Sequence, residues 1–127
     1  MMCPAPKRIL LVEDEVLIRV MVAEQIRDAG LAVIEAGNAD EAWAVLQSGA
    51  AVDLVFSDIR MPGSMDGLAL AARVQALDPA LPIILASGNA APDVTKRHPV
   101  LVTKPYKVDE VVALMLDTLG RKRPEAP

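Results

Sequence analysis

Cysteine, histidine and aromatic residues are nearly missing from this chain. The one cysteine, Cys3, cannot form an internal disulfide and has no Cys or His neighbour with metal-site spacing. A thiolate zinc site and a disulfide scaffold are therefore excluded. The one histidine, His98, sits between Arg97 and Pro99 and reads as an exposed loop residue rather than a ligand or a phosphoacceptor. Aromatics make up 2% of the residues, so the core must be aliphatic. An excess of basic charge is absent too. The formal net charge of −4 argues against a dedicated nucleic-acid binder, and the short run Arg121-Lys122-Arg123 does not reverse this. No stretch approaches the ~20 apolar residues of a membrane span. Met1–Lys7 leads directly into a short apolar run, so no secretory signal is expected and a cytoplasmic location is the default.

Short apolar runs are abundant, and each ends in polar residues. Ile9–Val12 runs into Glu13-Asp14, and Val52–Ser57 into Asp58. Ile83–Ala86 runs into Ser87, and Val100–Thr103 into Lys104-Pro105. Between them lie segments of helical period, the pattern of βαβ units in an α/β fold. Strands are expected at Arg8–Val12, Ala32–Glu35, Asp53–Ser57, Ile83–Ala86 and Val100–Thr103. The first helix should cover about Glu15–Ala29, burying Ile18, Met21, Val22 and Ile26, with Gly30 closing it. Asn38 resembles an N-cap with Glu41 three residues on, opening a helix to about Gln47 that buries Ala42, Trp43 and Leu46. Gly67–Leu77 and Val108–Leu119 are the remaining helices. Residues 89–99 carry two prolines and little apolar period, so the fourth crossover is expected to be short or irregular. That segment is either a trimmed connection or a switch beside the site.

Parallel strands would bring all those polar ends to one sheet edge. Clustered carboxylates raise one another's proton affinity, and a hard divalent ion such as Mg²⁺ relieves the repulsion. Asp58 is then the candidate nucleophile, able to attack phosphorus and form an aspartyl phosphate. Asp14, Asp58 and Glu13 would hold Mg²⁺. Lys104, aimed inward by the turn at Pro105, would pair with one phosphoryl oxygen, and the Ser87 hydroxyl would donate to another.

Together, Leu11-Val12-Glu13-Asp14-Glu15, Asp58-Ile59-Arg60-Met61-Pro62, Asp66-Gly67, Ala86-Ser87-Gly88 and Thr103-Lys104-Pro105-Tyr106 resemble the receiver domains of bacterial two-component response regulators. The resemblance covers about Lys7–Leu119. It implies a flavodoxin-like, doubly wound, five-stranded parallel sheet in the order 2-1-3-4-5. It also implies Asp58 as phosphoacceptor from a sensor histidine kinase or a phosphotransfer protein, and the backbone carbonyl of Arg60 as a further Mg²⁺ ligand. The expected layout is a receiver over residues 7–120 between flexible tails at 1–6 and 121–127. Only Gly120–Pro127 follows, so a stand-alone receiver signalling through contact with a downstream protein is expected, with self-phosphorylation and autodephosphorylation rather than enzyme turnover. A phosphate sink, or an interaction module independent of phosphorylation, is the alternative.

The chain departs from the receiver pattern in places. Leu101 stands where an aromatic switch residue is usual, so Leu101 and Asn89 mark an altered switch region. Pro82–Gly88 is similar to a subgroup with a Phe-Ala-Thr-Gly-type motif, whose kinases are often of the HWE/HisKA2 type. The loop Met61–Gly67 is one residue longer than the common form. A haloacid-dehalogenase-type hydrolase would need a second acid two residues beyond Asp58, where Arg60 stands. A flavodoxin-type cofactor site would not place Glu13-Asp14-Glu15 against phosphate.

Overall fold

The computed structural model describes residues 6–88 and 101–121. Strand β1 (Arg8–Val12) is followed by α1 (Val16–Asp28), β2 (Ala32–Ala36), α2 (Ala39–Gln47), β3 (Leu54–Asp58) and α3 (Gly67–Leu77). Then come β4 (Ile83–Ser87), β5 (Leu101–Thr103) and α4 (Val108–Arg121). The strands form one parallel sheet in the order β2-β1-β3-β4-β5. Segment 89–100, with Asn89 and the fourth crossover, lies outside the described residues, as do Cys3, His98 and the terminal stretches 1–5 and 122–127.

Alternation along the strands distributes the core between two faces. Ile9 and Leu11 of β1 join Phe56, Ile84, Val22, Ile26, Val111 and Met115 on one side. Leu10 and Val12 join Val55, Ala39, Ala42, Leu46, Leu70 and Val74 on the other. Helices cover both faces, so the inner strands β1, β3 and β4 carry unbroken apolar runs, whereas the edge strand β2 bears the exposed Glu35. Ile9, Leu10 and Met115 are fully enclosed, and each such side chain contributes roughly 1.5–3 kcal/mol.

Local signals set the helix ends. Gly30 has φ +91° just past α1; its N–H donates to Arg27 O and that of Leu31 to Ile26 O, a Schellman closure. Asn38 accepts from the Glu41 N–H at 2.8 Å, while the Glu41 carboxylate accepts from Gly37, not from Asn38 itself. Asp66 caps α3 by accepting from the Ala69 N–H.

Several expectations shift. Strands β2, β3 and β4 each end one residue later than expected, because the ladder continues, pairing Val12 with Ala36, Asp58 with Ala86 and Ser87 with Thr103, and β3 starts at Leu54 instead of Asp53. Met21 is half-exposed rather than buried, while Ile18 and Trp43 are only partly covered. Trp43 instead lies under the Arg73 guanidinium, 5.5 Å from the ring centre.

Candidate functional site

The parallel register brings the carboxyl ends of β1, β3, β4 and β5 to one edge. At β1, three residues, Glu13-Asp14-Glu15, join the strand to α1. The Glu13 N–H continues the sheet by donating to Ala36 O at 3.0 Å. The Glu13 carboxylate accepts from the Glu15 N–H at 3.1 Å, and the Glu13 carbonyl accepts from Arg19 Nη1 at 2.9 Å.

At β3, Asp58 is buried at 7% exposure in a hydrogen-bonded main-chain setting. The Ser57 hydroxyl donates to the Asp58 carbonyl at 2.9 Å, and the Ile59 N–H donates to Ala86 O. Gly67 donates to Ile59 O and lies directly against this turn. A Cβ on Gly67 would sit 2.7 Å from the Ile59 Cα and closer still to the Asp58 carbonyl oxygen. Glycine is required there for close backbone approach, not for an unusual φ.

One carboxylate oxygen from each of Glu13, Asp14 and Asp58 lies within 4.8 Å of the others. The Lys104 ammonium bridges Asp58, 2.7 Å from Oδ1 and 2.9 Å from Oδ2. The Lys104 N–H donates to Ser87 O at 2.9 Å, tying the ends of β4 and β5 together. Ser87 itself is buried. The Lys104–Pro105 peptide is cis. Beside Lys104 opens an apolar groove of about 370 Å³, lined by Ile18, Met21, Val22, Pro105, Tyr106 and Val108.

Proton affinities reflect this crowding. Burial raises the Glu13 pKa, and Asp58 and Asp14 add to the rise, against the hydrogen bond from Glu15. Burial alone would lower the Lys104 pKa, but its bond to Asp58 and the charges of Asp58, Glu13 and Glu15 prevail and raise it. Tyr106, edge-on to Phe56 at 5.8 Å, is pushed up to about 12 by burial and then by Glu13 and Asp58. Three hard oxygen donors with one balancing ammonium suit a small divalent cation. Asp58 has the further capacity to act as an oxygen nucleophile.

Over residues 9–115 the sequence matches the response regulator receiver domain family. The chain belongs to this family. It is a receiver domain of the kind found in two-component response regulators. It is 37% identical over 116 residues to the C4-dicarboxylate transport transcriptional regulatory protein DctD of Rhizobium meliloti, covering 87% of this chain and 25% of that protein. It is 30% identical to the transcriptional regulatory protein PdtaR of Mycobacterium tuberculosis, covering 93% and 59%. Among solved structures, the receiver domain of NtrX from Brucella abortus is 34% identical with a TM-score of 0.78, covering 88% of this chain and 98% of that one. A CheY-like receiver from Methanospirillum hungatei superposes at a TM-score of 0.86 with 23% identity, covering 95% and 99%, a likeness of fold. The receiver spans about a quarter of DctD and 59% of PdtaR.

Of the residues expected from sequence, Glu13, Asp14, Asp58 and Lys104 are brought together, and Ser87 joins through its main chain. Arg60 lies exposed, two positions past Asp58. Leu101 opens β5 opposite Leu85. Sequence reasoning missed Arg19, since an arginine one turn into a helix carries no mark separating it from a solvated one. It also missed Asp40, whose carboxylate accepts from both the N–H and the hydroxyl of Ser64 and so tethers the β3–α3 loop to α2. No described helix is long and apolar enough to cross a membrane.

Proposed function

We propose that this receiver takes a phosphoryl group from a histidine kinase, or from a phosphotransfer protein, onto Asp58, and that the phosphorylated surface then signals through protein contact in the cytoplasm. The observation carrying this reading is the convergence of Asp58 with Glu13, Asp14 and Lys104 at one sheet edge. In the transfer, one Asp58 carboxylate oxygen forms a bond to phosphorus as the bond from phosphorus to the donor imidazole nitrogen breaks, and the electron pair returns to that nitrogen. Hydrolysis reverses the state: water attacks phosphorus, the acyl phosphate bond breaks, inorganic phosphate leaves and the carboxylate is restored. In both steps the phosphoryl group is carried on the chain's own Asp58, so the reaction is self-phosphorylation followed by autodephosphorylation.

Glu13, Asp14 and Asp58, with the Arg60 carbonyl, are the residues that would hold Mg²⁺. When bound, Mg²⁺ supplies positive charge against the repulsion between the carboxylates and the phosphoryl oxygens. Lys104 would move from the carboxylate to a phosphoryl oxygen, exchanging one anion for another. Ser87 would donate its hydroxyl to a second phosphoryl oxygen. The hydrogen-bonded main chain at Ser57–Ile59, packed against Gly67, would keep the Asp58 carboxylate at this sheet edge. Incubated with a small phosphodonor and MgCl₂, the wild type should gain one phosphoryl mass, and Asp58→Asn should gain none. An equal gain by Asp58→Asn would overturn the assignment.

A further inference from the structure

Glu13 and Asp14 are consecutive, yet both present an oxygen to one cluster. In extended chain, neighbouring side chains point to opposite sides. Here β1 ends at Val12 and the chain bends at Asp14, so the peptide between the two acids departs from the strand orientation. The carbonyl of that peptide belongs to Glu13, and it accepts from Arg19 Nη1 at 2.9 Å. The Arg19 guanidinium is anchored in turn, with Nε donating to Glu35 Oε1 at 3.3 Å. Glu35 lies on β2 and is gripped from its other oxygen by Arg27 Nη2, also at 3.3 Å. The Arg19 side chain is 20% exposed and its bond to the Glu13 carbonyl is partly buried, while the Glu35 end of the brace faces solvent. Gly37 leaves room for it: a Cβ there would come within 3.3 Å of Nη1.

We infer that Arg19 is a positioning residue for the cation site, fixing the Glu13–Asp14 peptide by bracing it against Glu35. The inference rests on the reading of Glu13 and Asp14 as cation ligands. Charge and bracing give opposite signs. A guanidinium this close to the acids repels a cation, so charge alone predicts tighter Mg²⁺ binding without Arg19. Bracing predicts weaker binding, because the ligands lose their common aim. Lysine would keep the charge but lacks the planar fork that reaches two acceptors at once.

The test is calorimetric titration of MgCl₂ into the wild type and into Arg19→Gln, Arg19→Lys, Glu35→Ala and the Arg19→Gln/Glu35→Ala double variant, with folding checked by urea denaturation. Arg19→Gln should bind about tenfold more weakly, the loss typical when a group supporting a metal ligand is removed. Arg19→Lys should move in the same direction. Glu35→Ala should weaken binding less, and its effect should vanish in the Arg19→Gln background, since both act through one brace. With saturating MgCl₂, labelling of Asp58 in Arg19→Gln should return to the wild-type rate, separating the cation requirement from the transfer step. Binding by folded Arg19→Gln that equals or exceeds the wild type overturns the inference alone. Absence of Mg²⁺ binding by the wild type overturns the cation reading and this inference together. If Arg19→Gln does not fold, Arg19→Lys and Glu35→Ala decide the question, and unchanged affinity in both refutes the brace.

Discussion

The Lys104 ammonium spans both oxygens of Asp58, at 2.7 and 2.9 Å, so the candidate nucleophile is held by the cation that would later serve its phosphoryl group. In the proposed transfer, one charge would thus serve two partners in succession. Lys104→Met should lower the initial rate of Asp58 labelling by about 10²-fold, the scale for losing one charge-stabilising donor in a transfer step. The same variant should bind Mg²⁺ more tightly, because a competing positive charge is gone. Labelling kinetics and calorimetry on one preparation give both signs.

Glu13 carries the cost of a buried carboxylate among other acids. Its pKa is raised in the folded state, so the folded protein binds more protons than the unfolded chain as pH rises past the ordinary glutamate value. Stability from this group is therefore present at acid pH and lost as pH rises through the raised value. Glu13→Gln should melt at higher temperature than the wild type at pH 7 without Mg²⁺. Its melting temperature should then respond less to added MgCl₂. Thermal unfolding at several MgCl₂ concentrations measures both.

Gly67 has no room for a side chain against the turn that follows Asp58. Gly67→Ala must displace backbone on one side or the other. A loss of about 1–3 kcal/mol is expected, the usual cost of overpacking. Urea unfolding reads it directly, and labelling of Asp58 should slow in the same variant.

Tyr106 is the sole tyrosine, so its ionisation can be followed without interference from another. Ultraviolet titration of the folded chain should show the phenolate forming at about pH 12, while the urea-unfolded chain titrates near the ordinary value of 10.0. Between those values the unfolded chain loses a proton that the folded chain keeps. This group's contribution to stability thus falls as pH rises through the window.

Much of this was legible in the residues. The apolar runs located the strands because helices on both sheet faces demand continuous Val, Leu and Ile. The polar residue after each run located the site, because parallel strands share one functional edge. Strand ends were misjudged at Ala36, Asp58 and Ser87, since a backbone ladder pairs N–H and C=O groups whatever the side chain. Met21 was misplaced because it sits at the margin of the stripe defined by Val22 and Ile26, where a helix surface turns toward solvent. Arg19 and the Asp40–Ser64 tether were invisible. Both join residues that only the folded chain brings together, through atoms that leave no periodic trace.

The central claim is that Asp58 carries an acyl phosphate. Hydroxylamine trapping after incubation with a small phosphodonor and MgCl₂, followed by peptide mass mapping, tests it most directly. The account predicts a single hydroxamate at residue 58, dependent on MgCl₂. A stable phosphate ester on a hydroxyl side chain, with residue 58 unmodified, would contradict it.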